Sequence, residues 1–509
     1  MKRHVERAAL AKGGFMLCAA AFAICAVSGC MVGPEYTRPT ITLPEGFKEE
    51  SRWRLAKAST EATVHKDSGQ QGGQFRSAAV LAISEPWWKS WNDPTLDQLE
   101  QRALSVNQSI AVANANYGES RALIAEARSA LYPSAELHVD PSRVKYADYI
   151  TTHKRFDYDT ETDISAIADL QWEVDLWGKT RRGLEAANDT AEANAATLAA
   201  VKLSVSAALG EDYLLLRKSD LQLDTLRNEE RSYARMVMMT RGALGHGLAT
   251  DDDVLLAQNA VSDTQTRIAS EESARALEEH AVAALLGIAP SQFSITPDAA
   301  YQIALPEISP VIPSALLERR PDIVNAERQA AAANARIGVA EAAYYPDLLL
   351  DASVGGENTT LAGLLSAPLR IWSLGPSFAL SLFDGGRKDA RVHAAQASYE
   401  GAVARYRATV INAMQEVEDD LARRREGDLI TETRRQQWQR AAKLQSAQAL
   451  QQRLGLVTEI SLTQAEIATE DAHRLWLADV ASAGLSRIAL VKSIGGGWQS
   501  ATSTSRAGN

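Results

Sequence analysis

The 509 residues carry 64 acidic and 53 basic side chains, a net charge of −11 that argues against a surface built to neutralise nucleic-acid phosphates. Two of the three cysteines, Cys18 and Cys25, lie in an apolar leader, so only Cys30 remains afterwards and no internal disulfide framework is available. Beyond the leader no run of about 18 consecutive apolar residues occurs, so a transmembrane helix is not expected and any membrane crossing must be made by β-strands.

The leader, residues 1–29, opens with Lys2, Arg3, Arg7 and Lys12 and continues in an apolar stretch from Phe15 to Val27 that is short for a span, the pattern of an export signal. Its loss removes four basic residues and Glu6, taking the net charge from −11 to −14. Val27-Ser28-Gly29-Cys30 resembles the bacterial lipobox, which implies cleavage before Cys30, an S-linked diacylglycerol on its thiol and an N-acyl chain on its freed amine. That covalent lipid is the one non-protein group expected; no metal or other cofactor is. Two or three acyl chains, at roughly 0.8 kcal/mol per buried methylene, hold a protein firmly on a membrane. Met31 stands where an aspartate typically retains such lipoproteins at the inner membrane, so resemblance to that rule points to the outer one. Residues 30–85 read as a lipidated N-terminal segment and linker, with Ser68-Gly69-Gln70-Gln71-Gly72-Gly73-Gln74 as its flexible part within 51–80.

From residue 86 onward one unit is used twice, over 86–300 and 301–498, before a small polar tail at 499–509. Gly178-Lys179-Thr180-Arg181 through Ala186-Ala187 aligns with Gly386-Arg387-Lys388-Asp389 through Ala394-Ala395 at a shift of 208, and the same shift carries Gly247-Leu248-Ala249-Thr250 onto Gly455-Leu456-Val457-Thr458. Tyr132-Pro133 pairs with Tyr345-Pro346 at a shift of 213, so five extra residues lie between proline and glycine in the first copy.

Between each proline and its glycine the hydrophobic period falls to two, which predicts strands at about 134–141, 164–176, 347–355 and 371–382. Ala135, Leu137 and Val139 alternate with Glu136, His138 and Asp140; Leu170, Trp172 and Val174 alternate with Asp169, Gln171 and Glu173. The second copy repeats the pattern, with Pro376 expected to need a local irregularity. Segments of about ten residues suit tilted membrane strands. Four strands cannot close a barrel alone, so several chains must share one, greasy face toward lipid and carboxylates toward a wet lumen.

The stretches 179–245 and 387–453 contain no proline and are rich in Ala, Leu, Arg, Glu and Gln, which predicts helices of 67 residues and on the order of 100 Å. Alanines at helical spacing, as in Ala331-Ala332-Ala333-Ala335, permit close helix approach.

Several further segments carry a resemblance over nearly the whole mature chain: Cys30-Met31-Val32-Gly33-Pro34-Glu35-Tyr36 with Arg38-Pro39, Trp87-Trp88 before Asp93-Pro94 and Leu96, Leu317-Glu318-Arg319-Arg320-Pro321-Asp322-Ile323, and Gly495-Gly496-Gly497-Trp498. The sequence resembles the TolC-type outer-membrane efflux family, in its NodT-like lipoprotein branch. The resemblance implies an α+β membrane protein: a homotrimer whose twelve strands, four per chain, form a barrel in outer-membrane lipid, continuous with a periplasmic tunnel of twelve helices. It also implies a passive duct serving a periplasmic adaptor and an inner-membrane transporter, of the RND type. The adaptor-contacting tips then fall at Gly247, Leu248 and Thr250 with the acidic Asp251, Asp252 and Asp253, and at Gly455, Leu456 and Thr458. Independently of an adaptor, the threonines suit helix capping and the aspartates suit the positive end of a helix dipole.

The periplasmic gate departs from the family pattern. Relatives often carry an Arg-Tyr-Arg-like stretch before the second glycine and an aspartate nine residues after it; here Gln451, Gln452, Arg453 and Gln464 stand there. Arg453 alone matches, Ile460 takes the place of an apolar constriction, and Glu459 or Glu466 is left to supply charge from shifted positions.

Two other classes fit the sequence less well. An enzyme is disfavoured: Gly178-Lys179-Thr180 looks like the end of a phosphate loop, yet Glu173 occupies its required glycine, and the eight histidines are scattered. A periplasmic coiled-coil adaptor lipoprotein would share the long helices but not the duplicated alternating strands. The duct of a type I secretion system is the remaining alternative of the same architecture, and the methionine run at Met236–Met239 reads as helix packing rather than metal binding.

Overall fold

The computed structural model describes residues 31–44, 46–49, 86–144, 161–308, 316, 319–360, 363–364 and 370–496. Cys30, the 51–80 linker and the 499–509 tail lie outside the described residues. The chain divides into two compact units, one of residues 1–40, 116–194 and 326–406, the other of 41–115, 195–325 and 407–509.

The elements are α1 (Pro94–Val106), α2 (Gln108–Ser129), β1 (Ser134–Val144), β2 (Glu161–Val174), α3 (Lys179–Gly245), α4 (Asp251–Leu285), α5 (Pro321–Ala342), β3 (Asp347–Asn358), β4 (Arg370–Ala379), α6 (Arg387–Arg453) and α7 (Glu459–Ser493). The duplication holds to the residue. α3 and α4 reappear as α6 and α7 with every boundary moved by 208, and α2 reappears as α5 with both boundaries moved by 213. The offset changes between the two strands of each hairpin, in stretches that lie mostly outside the described residues.

The first unit holds an antiparallel sheet in the order β1-β2-β3-β4. β4 ends at Ala379, short of Leu380 and Leu382, which lie outside the strand. Pro376 causes no irregularity: the ladder runs unbroken from Asp347↔Ala379 to Gly356↔Arg370, with Leu350 opposite Pro376. Within the chain β4 pairs only with β3, so Pro376 can be denied a ladder bond on one side alone. Below the sheet, Ala330 and Ala333 of α5 pack on Ala402 of α6, with Tyr36, Tyr399 and Val403 around them. The alanines are small so that helices can close up; Ala330, Ala332 and Ala335 are fully buried.

An N-terminal strap lies across this unit. Val32 N–H donates to the Trp177 carbonyl at 3.0 Å, and the fully buried Arg182 donates to the carbonyls of Val32 and Gly33 and to the Glu35 carboxylate. Gly33 has φ +97°, and a Cβ there would stand 2.5 Å from the Gly338 Cα, so only two glycines permit the crossing. The chain just after Cys30 is therefore pinned to the start of α3.

The second unit is built on a tryptophan cluster, Trp87, Trp88 and Trp91, packed edge to face. Asp93 caps α1 and accepts hydrogen bonds from the hydroxyls of Tyr213 at 2.7 Å and Tyr301 at 2.9 Å, while the Arg217 guanidinium lies over both rings. Glu100 sits in this core with no exposure, and neither carboxylate oxygen has a hydrogen-bond partner. Burial pushes its carboxyl up to about 9. α3 contains one stretch apolar and long enough, by composition, to cross a membrane. In this fold α3 buries Leu209, Leu214 and Leu216 in the core.

Candidate functional site

The register sorts the strand side chains onto two faces. Leu137 stands opposite Ala168 and then Val354 and Trp372; Ala135 opposite Leu170, Ala352 and Leu374; Trp172 opposite Leu350 and Pro376. One face is thus apolar across all four strands, and it is bare in the single chain: Leu137, Trp372, Leu374 and Phe378 are 69 to 75% exposed. So much uncovered hydrophobic surface requires an apolar surrounding. The other face carries Glu136, His138, Asp140, Asp169, Gln171 and Asp351, interrupted by Ile167, Leu349 and Ile371. β1 and β4 each pair on one side only, so both edges of the sheet are open.

At the two turns, Gly247 and Gly455 adopt φ of +70° and +73°. Each ends its helix by the same pair of bonds: Gly247 N–H to Leu244 O and Leu248 N–H to Ala243 O, then Gly455 N–H to Gln452 O and Leu456 N–H to Gln451 O, all at 2.9 Å. Thr250 and Asp253 form a reciprocal capping box at the start of α4, and the Thr250 backbone N–H and hydroxyl hold the Asp253 carboxyl below its usual range. Thr458 caps α7 by accepting from Ser461 N–H at 3.2 Å. Leu248 and Leu456 project at 82% and 71% exposure. Asp251 and Asp252 occupy the first turn of α4 without a capping bond of their own.

The residues assigned to the gate from sequence lie around the second turn. Arg453, Glu459 and Gln464 are exposed and Ile460 is half-buried, and among the described residues Arg453 makes no ion pair. The charges that tie helices together lie further from the turns. Glu466 of α7 pairs with Arg235 of α3, and Glu229 of α3, 1% exposed, faces Arg267 of α4 at 2.9 Å and Arg474 of α7 at 3.7 Å. Burial raises the Glu229 carboxyl, against the two arginines that lower it.

A second feature escaped the sequence reading. Trp438 of α6 stacks on both His473 and Trp476 of α7, at ring separations of 4.5 and 4.9 Å. Moved back by 208, Trp438 and His473 become Glu230 and Gln265, which in the first hairpin share a 2.9 Å hydrogen bond. Comparing the copies position by position would have exposed this exchange of a polar clasp for an aromatic one.

The family profile described as "Outer membrane efflux protein" matches residues 99–288 and 312–496. The chain belongs to the outer membrane efflux protein family. It is 31% identical over 417 residues to nodulation protein T of Rhizobium leguminosarum bv. viciae, covering 80% of this chain and 78% of that protein. It is 28% identical over 491 residues to the toluene efflux pump outer membrane protein TtgF of Pseudomonas putida, covering 94% and 96%. Among solved structures, the outer-membrane channel OprN superposes with a TM-score of 0.74 at 26% identity, covering 92% of this chain and all of that one.

The fold class is accordingly that of the trimeric outer-membrane efflux channels, with four strands per chain and an internal repeat. The protein is the outer-membrane channel component of an efflux system, resident in the outer membrane and reaching into the periplasm. The bare apolar sheet face is the one whose chemistry suits contact with lipid.

Proposed function

We propose that three copies of this chain close one barrel, β4 of each pairing with β1 of the next, to make the passive outlet of a pump completed by a periplasmic adaptor and an RND-type inner-membrane transporter. The carrying observation is the sheet itself, with one face apolar across all four strands and two open edges. A sheet with open edges and a greasy face satisfies its backbone in lipid only by closing with others. The chain performs no chemistry of its own on what it conducts, and Cys30 carries the lipid that holds the strap at the membrane. In isolated outer membranes the protein should run as a heat-sensitive oligomer and form pores in planar bilayers. Recovery as a readily extracted monomer would refute this assignment.

In this reading the two turns are the adaptor-contacting tips, with Leu248 and Leu456 as apolar contacts and the acids Asp251 and Asp252 beside them. Because Asp253 belongs to the capping box, the informative change spares it. Asp251→Lys together with Asp252→Lys should reduce chemical crosslinking of the trimer to its adaptor several-fold while leaving helicity unchanged. Undiminished crosslinking would leave those acids only their role at the helix dipole.

A further inference from the structure

We infer that copies of this chain also meet below the sheet, where the bare face of α2 on one copy packs on the Ala390, Ala394 and Ala397 face of α6 on the next, along a seam without ion pairs. The inference rests on the channel reading and adds to it a contact surface and the chemistry that selects the partner helix. α5 and α2 are the same helix in two copies of the repeat, yet they are buried differently. Ala331, Ala332 and Ala335 of α5 have at most 1% exposure, whereas Gly118, Glu119 and Ala122, their counterparts 213 residues earlier, are exposed. A Cβ on Gly118 would meet nothing within 4 Å, and Leu123 and Tyr132 stand out at 47% and 66% exposure. α6 is bare in the matching way: Ala390 and Ala394 are exposed where Arg182 and Ala186 of α3 are buried.

Within the chain, the corresponding faces of α3 and α5 are in contact with each other. A Cβ on Gly338 would lie 2.9 Å from the Arg182 Cγ, Trp177 stacks on Tyr345 at 4.7 Å, and Arg336 donates to the Thr190 hydroxyl at 3.4 Å. Shifted by 208 and 213, those pairs become Ala390 with Ala125, Gly385 with Tyr132, and Ser398 with Leu123. The pairing of β2 with β3 brings α3 beside α5. Pairing of the open β4 edge with β1 of another copy brings α6 beside that copy's α2 in the same way, so the occupant of the bare face is a second copy of this chain.

Charge distinguishes the two seams. In the chain, Arg328 of α5 meets Asp189 at 3.2 Å and Glu192 at 3.3 Å on α3, and further from the sheet Glu229 faces Arg474 at 3.7 Å while Arg235 pairs with Glu466. The counterparts are Ala115 with Ala397 and Glu400, Gln437 with Thr266, and Lys443 with Gln258, so no ion pair survives the shift. Homology between the copies would otherwise let α6 dock on α5 of a neighbour as readily as on α2. There Arg328 would give up Asp189 for Ala397, and a partly buried guanidinium that loses a carboxylate is costly. α2 brings Ala115 to the same place and incurs no such penalty, while the small residues of both helices permit close approach.

The test is a crosslink formed by the full-length protein in isolated outer membranes. With Cys30 acylated, Ala125→Cys with Ala390→Cys supplies the only free thiols, and the close approach of Arg182 to Gly338 puts their positions within reach of a disulfide, whose Cβ atoms lie about 3.5–4.5 Å apart. Mild oxidation should yield covalent dimers and trimers on non-reducing denaturing gels, and neither single variant should. A heat-sensitive oligomer that oxidation and a short bis-maleimide both leave uncrosslinked overturns the contact. Leu123→Arg, which installs the residue α5 carries at that place, should lower the temperature at which the oligomer dissociates, and adding Ser398→Asp should restore it. An oligomer indifferent to Leu123→Arg overturns the selectivity. Should Leu123→Arg fail to fold, the wild type decides: salt at about 1 M, where the Debye length is about 3 Å, should not loosen the oligomer, and an oligomer that salt loosens overturns the seam without ion pairs. A wild type that forms neither oligomer nor pore refutes the channel reading itself and is recognised by that double failure.

Discussion

Replacing Glu100 with glutamine is expected to stabilise the folded chain by about 3 kcal/mol at pH 7, although it deletes an ionisable group from a core. The side chain has no exposure, its two oxygens lack partners, and burial pushes the folded carboxyl up to about 9 from an ordinary 4.5. A folded pKa above the unfolded one means that the folded state holds its proton where the unfolded chain has released it. The favourable contribution is complete below about pH 4.5 and is lost progressively as pH rises toward 9. At pH 7 some two and a half units of that loss have accrued, each worth about 1.4 kcal/mol. Glutamine keeps the shape and removes the titration. Melting of the detergent-solubilised protein, followed by circular dichroism, should therefore give nearly coincident midpoints for wild type and variant at pH 4.5, separating steadily to pH 8.5 with the variant higher. Parallel curves would mean that Glu100 is solvated or paired in the folded protein.

Much of this architecture was legible because duplication writes the same boundaries twice. The 208-residue shift located Gly247 and Gly455, and the two 67-residue helices end just before them. Strand alternation was equally readable, since membrane strands must sort lipid-facing from lumen-facing residues and nothing else overrides the period of two. Where reading failed, the cause was long-range pairing. Pro376 looked disruptive on its own strand, but its tolerance depends on which neighbour β4 has. The pairing of Glu229 with Arg474 joins residues 245 positions apart and leaves no local signature. Trp438 and His473 lay within reach of the repeat, yet a position where two copies differ reads as drift until the structure places the rings in contact.

That displacement of charge away from the turns yields the second large effect, on conductance. α7 is bound to the first hairpin through Glu229, which faces Arg474, and through Glu466, which faces Arg235. If the pore opens by outward movement of the α6–α7 hairpin, these contacts must separate, and the two are unequal. The Arg235–Glu466 pair is partly exposed at both ends, so about 1 kcal/mol is its ceiling. Glu229 is 1% exposed, and the movement takes Arg474 away while Arg267, on the same hairpin as Glu229, stays; a buried carboxylate loses one of its two basic partners, which costs more than parting the exposed pair. Glu229→Gln should therefore raise single-channel conductance in planar bilayers several-fold, Glu466→Gln should raise it less, and the double variant most. Arg453→Ala, which removes an exposed side chain with no ion pair among the described residues, should change it least. The reverse ranking, with Arg453→Ala opening the channel and Glu229→Gln leaving it closed, would return the gate to the turns and make Glu229 a purely structural link between helices. Charge is the variable that separates the two outcomes: Glu229→Asp, which keeps the carboxylate, should hold conductance near that of the wild type.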